Sequence, residues 1–152
     1  MSKKQYLIAA DTHERTTFLI ETIEKLGNID GLIHLGDHTA DAEEVSFVYP
    51  KLPIFCVRGN NDWGREPSEQ MLNLQGNRVF LTHGHRYRVK RGLDLLIDAA
   101  REKEADIVLF GHTHQGHLER QGNLWIVNPG AMYHRQYAVM TLEEETVQIN
   151  LF

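Results

Sequence analysis

The run Asp106-Ile107-Val108-Leu109-Phe110 ends at Gly111-His112-Thr113-His114, and this junction constrains the chain most. An unbroken apolar run of that length reads as a strand buried on both faces, as in parallel sheets. Such sheets bind ligands beyond the carboxyl ends of their strands. Here two histidines, one residue apart, stand at that end. Imidazole is a good transition-metal ligand, so the pair suggests a metal. Taken alone, the pair is equally compatible with two solvated loop histidines. The other strand ends decide between them.

The same junction recurs along the chain. Tyr6 to Ala10 is a short apolar run that ends at Asp11-Thr12-His13. From Glu14 to Leu26 the pattern is helical, with Phe18, Thr22, Ile23 and Leu26 on one face, and Gly27-Asn28 is a stop. Gly31 to Leu35 is a second strand, ending at Gly36-Asp37-His38. Asp41 to Tyr49 reads as a helix closed before Pro50. Pro53 to Val57 is a third strand, ending at Arg58-Gly59-Asn60-Asn61-Asp62. Strand, helix, strand, helix, strand predicts a parallel sheet with right-handed crossovers.

The second part changes character. Met71 to Leu74 and Arg78 to Thr82 flank Gln75-Gly76-Asn77, a hairpin whose second arm ends at His83-Gly84-His85. A helix is expected over Gly92 to Arg101, before the Asp106 to Phe110 strand. Two further hairpins follow: His117 to Arg120 with Leu124 to Val127, and Ala138 to Leu142 with Val147 to Leu151. The expected architecture is one α/β domain over residues 1–152. Its front sheet holds the parallel units, and the antiparallel hairpins form a second sheet behind.

Composition narrows the function. The 16 basic and 21 acidic residues give a net charge of −5. That balance argues against a protein holding nucleic acid by bulk charge, but leaves room for a small phosphate ester. Cys56 is the single cysteine, which excludes an internal disulfide and suits a reducing, cytoplasmic setting. The apolar run after Met1-Ser2-Lys3-Lys4-Gln5 is too short for a signal peptide or a membrane span.

Five strands thus end in ligand-type groups: Asp11 and His13, then Asp37, Asn60, His83, and finally His112 with His114. Four of these sites have a glycine beside them, Gly36, Gly59, Gly84 and Gly111, where the backbone can turn sharply and approach a ligand. Carboxylate, imidazole and amide oxygen form a set suited to Mn, Fe, Zn, Co or Ni. No thiolate is placed there, which argues against a structural zinc site.

Asp11-x-His13, Gly36-Asp37, Gly59-Asn60-x-Asp62, His83 and Gly111-His112-x-His114, in that order, resemble the calcineurin-like metallophosphoesterases, in particular the small YfcE-like phosphodiesterases. Asn128-Pro129-Gly130 also fits. The resemblance implies a four-layer αββα sandwich of two mixed sheets flanked by helices. It implies two divalent transition metal ions, Mn²⁺ first, with Ni²⁺, Co²⁺, Fe²⁺ or Zn²⁺ as alternatives. Asp11, His13 and His114 would hold one ion; Asn60, His83 and His112 would hold the other; Asp37 would bridge them. The implied reaction is in-line attack on a phosphate ester by a metal-bridging hydroxide, with diesters preferred. The partner expected is a small phosphate-ester substrate, without membrane or stable nucleic-acid binding, and homo-oligomers occur among relatives. The rival reading is a non-catalytic interaction scaffold of the same fold, like the retromer subunit. Its metal sites are degraded, whereas all the ligand positions here are filled.

One position departs from the family pattern. Many members have His where this chain has Asn61, and that His is proposed to protonate the leaving group. An amide is no general acid at neutral pH. Water, His38 or His85 would have to serve, or substrates would need good leaving groups. The role of Asp62, which normally orients that His, is left open. Arg86, Arg88, Lys90 and Arg91 read first as a solvated loop and helix start, and second as a basic lip. Trp63 is either a stacking wall or a loop-packing residue. His134 and Arg135 are candidates for substrate contact. Cys56 reads as an inert core thiol.

Overall fold

The computed structural model describes residues 2–152. Strands β1 (Lys4–Ala9), β2 (Gly31–His34) and β3 (Ile54–Cys56) alternate with helices α1 (Thr16–Leu26) and α2 (Thr39–Val48). The strands run parallel, with Tyr6 opposite Gly31 and Leu32 opposite Ile54. Strands β4 (Glu69–Leu74) and β5 (Asn77–Thr82) form the expected hairpin. Its turn is Gln75-Gly76, both at positive φ, and Asn77 already belongs to the second arm. Helix α3 (Asp94–Glu102), β6 (Ile107–Leu109), β7 (His117–Gln121), β8 (Leu124–Asn128), β9 (Ala138–Leu142) and β10 (Val147–Leu151) complete the chain.

The strands make two five-stranded sheets, ordered β10-β9-β1-β2-β3 and β4-β5-β6-β8-β7. Both are mixed. The last hairpin does not join the second sheet, as its antiparallel character suggested. It pairs antiparallel to β1, with Tyr6 opposite Met140, and extends the first sheet. The second sheet in turn contains a parallel centre, β5-β6-β8. Local alternation shows that a segment is a strand but not which edge it will close.

Side-chain alternation explains the layers. In β1, Leu7 and Ala9 face α1 and α2 with Leu19, Ile23 and Val45. Tyr6 and Ile8 face the other way, onto Val79, Leu81, Ile107 and Leu109 of the second sheet. That sheet presents Phe80, Val108 and Ile126 to Leu96, Ile97 and Ala100 of α3. The result is helices, sheet, sheet, helix: the four-layer αββα sandwich. Both sheets are covered on both faces, so β6 reads as continuous apolar sequence. Among the described residues, no helix is long and apolar enough to cross a membrane.

Helix α1 begins at Thr16 rather than Glu14. Between β1 and the helix, Asp11, His13 and Glu14 hold φ values of 54°, 44° and 68°, outside the helical region. The loop that carries ligand candidates therefore takes the place of the helix's first turn.

Candidate metal centre

The polar side chains beyond β1, β2, β5 and β6 converge. Asp11, Asp37 and His83 are buried, and their ligand atoms all lie within 4.8 Å of one another. Asp11, His13 and His114 make a second such trio, so Asp11 belongs to both. His112 joins through His83, their rings 5.0 Å apart and edge to face. Asn60 stands in the exposed turn after β3.

The backbone at these positions is unusual. Asp11, His13, Asp37, His112 and His114 have φ values of 54°, 44°, 59°, 70° and 63°. Left-handed backbone is uncommon for residues with a Cβ and costs about 1–3 kcal/mol each. Its concentration in one constellation points to function held in place by the surrounding fold. Gly36, at φ 102°, permits the close approach: a Cβ there would lie 2.7 Å from the Gly59 nitrogen.

His83 shows what the cluster requires. Its Nδ1 lies 2.8 Å from the Leu35 carbonyl oxygen, so Nδ1 carries the proton and donates. Nε2 then carries a lone pair. It faces Asp37 Oδ1 at 3.6 Å and Asp11 Oδ1 at 3.9 Å. Nε2 of His83, Oδ1 of Asp11 and Nε2 of His13 are all buried without a hydrogen-bond partner among the described residues. Lone pairs pointed at one another in a buried space are costly unless a cation sits between them. Two donors ~2.1 Å from one ion and ~90–110° apart would be ~3.0–3.4 Å from each other. His114 Nε2 lies 3.5 Å from Asp11 Oδ1, close to that spacing. Oxygen and imidazole donors without thiolate suit a divalent transition metal.

The protonation equilibria agree. Burial, reinforced by the charge of Asp37, pushes the Asp11 carboxyl up to about 8. Burial holds His83 down to about 4, and burial with the His83 charge does the same for His112. His114 is lowered too, chiefly by burial. His83, His112 and His114 are thus neutral at pH 7, the state that binds metal, and Asp11 is a buried carboxyl whose ionisation calls for a nearby positive charge.

Asn61 and Asp62 support Asp37. Asn61 donates from its backbone N–H to Asp37 Oδ1 at 3.0 Å and from Nδ2 to Asp37 Oδ2 at 2.9 Å. The Asp62 carboxylate accepts backbone N–H groups of Gly59, Asp37, His38 and Thr39 at 2.7–3.0 Å. It ties the loop after β2 to the loop after β3. Burial opposes its ionisation, but these donors together outweigh burial and lower its pKa. Hydrogen bonds to a charged group contribute about 1.5–3 kcal/mol each, less where solvent reaches, so Asp62→Ala is expected to cost about 2–4 kcal/mol at neutral pH. The sign with pH follows from a folded pKa below the unfolded value. The contribution is complete above about pH 4 and is lost as pH falls further. Urea midpoints of wild type and variant should therefore differ at pH 7 and converge in acid.

His34 and Asn128 have supporting roles that strand periodicity hides. His34 Nδ1 accepts the Gly36 N–H at 3.1 Å, which leaves Nε2–H for Thr12 Oγ1 at 3.1 Å. Asn128 Nδ2 donates to the Gly111 carbonyl and to Thr113 Oγ1, while its Oδ1 accepts the Gly130 N–H. These two side chains lock the loops before His13 and His114. The one signal for His34 was a lone polar residue inside Gly31–Leu35.

The flanking candidates separate by side. His38 lies 6.1 Å, ring to ring, from His13. His85 lies 5.5 Å from His83 and 6.1 Å from His112. Trp63 is 98% exposed and packs into no core. Arg86, Arg88, Lys90 and Arg91 occupy exposed positions between β5 and α3, and the Lys90 charge is felt at Asp11, His112 and His114. Cys56 is half-buried, and burial raises its thiol pKa, so it is unreactive at neutral pH.

Comparison with known proteins matches residues 5–146 to the calcineurin-like phosphoesterase superfamily domain. The Bacillus subtilis protein named probable metallophosphoesterase YsnB is 30% identical over 156 residues, covering 96% of this chain and 89% of its own. Vacuolar protein sorting-associated protein 29 of Schizosaccharomyces pombe is 30% identical over 136 residues, covering 82% of this chain and 70% of its own. A Streptococcus pneumoniae protein described as a predicted phosphoesterase superposes with a TM-score of 0.84 at 23% identity, over 100% of this chain and 90% of that one.

Proposed function

This chain belongs to the calcineurin-like phosphoesterase superfamily, and we propose that it is a dinuclear metal-dependent phosphoesterase that prefers diesters. The observation that carries the proposal is the buried, unpartnered lone pair of His83 Nε2 facing Asp37 and Asp11. Asp11, His13 and His114 would hold one ion, and Asn60, His83 and His112 the other, with Asp37 shared. When bound, such a pair polarises phosphoryl oxygens and brings the pKa of a coordinated water from ~15.7 towards ~7.

The protein's own residues supply placement. The Leu35 carbonyl fixes the His83 tautomer, so its Nε2 presents a lone pair. Asn61 holds both oxygens of Asp37, which prevents rotation of the shared carboxylate. Asp62 sets the distance between the loops that carry Asp37 and Asn60. Asn60 presents a neutral amide oxygen, which adds no repulsion towards an anionic ester. With Asn61 in place of a proton donor, esters with stable leaving groups are favoured, and activated diesters most of all.

The test is hydrolysis of bis-p-nitrophenyl phosphate by chelator-treated protein with Mn²⁺, Ni²⁺, Co²⁺ or Zn²⁺ restored. Turnover is expected only with metal. Absence of turnover with all of them would overturn the enzyme reading in favour of the non-catalytic interaction-scaffold reading.

A further inference from the structure

The rim beside His13 carries a cation that the metal centre does not use. Tyr133 is anchored there: its backbone N–H donates to the Asp11 carbonyl at 3.2 Å, and its ring meets the His13 ring at 5.9 Å, nearly perpendicular. At 41% exposure it belongs to the mouth of the site and not to the core. Arg15, two residues after His13, places its guanidinium 5.2 Å from the Tyr133 ring centre and 5.7 Å from that of Phe18. Two aromatic contacts hold a long side chain in one region, which lowers the entropy lost when it engages a ligand.

The Arg15 charge is not neutralised. Glu21, on the neighbouring turn of α1, pairs with Arg135 at 3.2 Å. Glu14 lies towards His38, at 3.9 Å. Arg15 makes no ion pair among the described residues. A cavity of about 300 Å³ beside Asn61 is lined by the carboxylates Glu43, Asp62 and Glu66, together with His38 and Trp63. A second negative charge on a substrate is repelled by these carboxylates and attracted at Arg15.

We propose that Arg15, positioned by Tyr133, is a subsite for a second anionic group, so that the preferred substrates are phosphodiesters carrying a further phosphate on one ester arm. The proposal rests on the phosphoesterase reading of the metal centre. Thymidine 5′-(p-nitrophenyl phosphate) and its 3′-phosphorylated counterpart share leaving group, nucleoside and scissile bond. The Mn²⁺-loaded wild type should show kcat/KM about tenfold higher for the 3′-phosphorylated ester, expressed mainly in KM, as one charge-assisted contact would give. In Arg15→Gln that ratio should fall to about one. A wild-type ratio near one, or a variant that keeps the wild-type ratio, overturns the proposal.

Binding separates this proposal from the catalytic one. Calorimetry of thymidine 3′,5′-bisphosphate and thymidine 5′-monophosphate needs no turnover. If neither ester nor bis-p-nitrophenyl phosphate is hydrolysed, the phosphoesterase reading fails. Tighter binding of the bisphosphate that Arg15→Gln abolishes would still uphold the subsite, and equal binding of the two by wild type would overturn it.

Discussion

Asp37→Asn is expected to lower metal-dependent hydrolysis of bis-p-nitrophenyl phosphate by about 10³-fold, because metal polarisation contributes several kcal/mol and each 1.36 kcal/mol is tenfold. Asp37 is 2% exposed and lies between the His83 imidazole and the Asn61 amide. Asparagine keeps the volume but turns one acceptor oxygen into a donor. If that NH₂ takes the place of Oδ2, it collides with the Asn61 Nδ2–H. If it takes the place of Oδ1, it collides with the Asn61 backbone N–H and turns a donor towards the His83 Nε2 lone pair that would meet an ion. Either way the negative charge of the proposed shared ligand is lost while the backbone bonds to Asp62 remain, so the fold should persist. Metal content of protein purified without chelator, about two equivalents per chain for a paired site, should fall for both ions. His114→Ala provides the contrast. It removes a half-exposed ligand from one trio only and should empty mainly that site. Should Asp37→Asn retain wild-type metal content and more than a tenth of its activity, the shared-ligand assignment is wrong.

The contrast between these two residues also shows what local sequence can and cannot reveal. The strand ends were legible because each apolar run is short and its last residue is followed at once by a ligand-type side chain, as at Phe110-Gly111-His112. Burial on both faces produces that continuous pattern. Periodicity does not encode partners, however. β9 and β10 alternate like any hairpin, and nothing local says that Met140 will lie opposite Tyr6 in the first sheet. Long-range polar contacts were equally hidden. Asp62 carries four backbone donors from two loops, yet in sequence it is only the fourth residue after Gly59 is counted as the first. The Arg15–Tyr133 contact joins residues far apart in the chain, brought together because the 132–134 turn is hydrogen-bonded to the end of β1. The ligand candidates announce themselves through residue type at a strand end, whereas the residues that orient them act through backbone groups that any sequence possesses.

Asn61→His is the complementary prediction, a gain where Asp37→Asn is a loss. In the wild type nothing at position 61 donates a proton to a departing oxygen, because the amide is not acidic and its Nδ2–H is directed at Asp37 Oδ2. Rates should therefore drop steeply from p-nitrophenyl to alkyl leaving groups, since the alkoxide must leave with little help. An imidazole at this position supplies a donor. General acid catalysis contributes typically ~10²–10⁴-fold. The lower end applies here, because the Asp62 carboxylate that would orient the ring is already occupied by four backbone N–H groups. The expected gain is thus about 10²-fold on an alkyl diester and less than about threefold on bis-p-nitrophenyl phosphate, whose leaving group needs no proton. The pH profile carries the proof of mechanism. A donor imidazole works only when protonated, so the gain on the alkyl ester should fade as pH rises through its pKa, near ~6.5 if unperturbed. A gain that is equal for both leaving groups would instead point to a change in how Asp37 is held, since the substitution also removes the Asn61 Nδ2 contact. A wild type already indifferent to leaving group would mean that His38 or His85 supplies the proton, and Asn61 would then serve Asp37 alone.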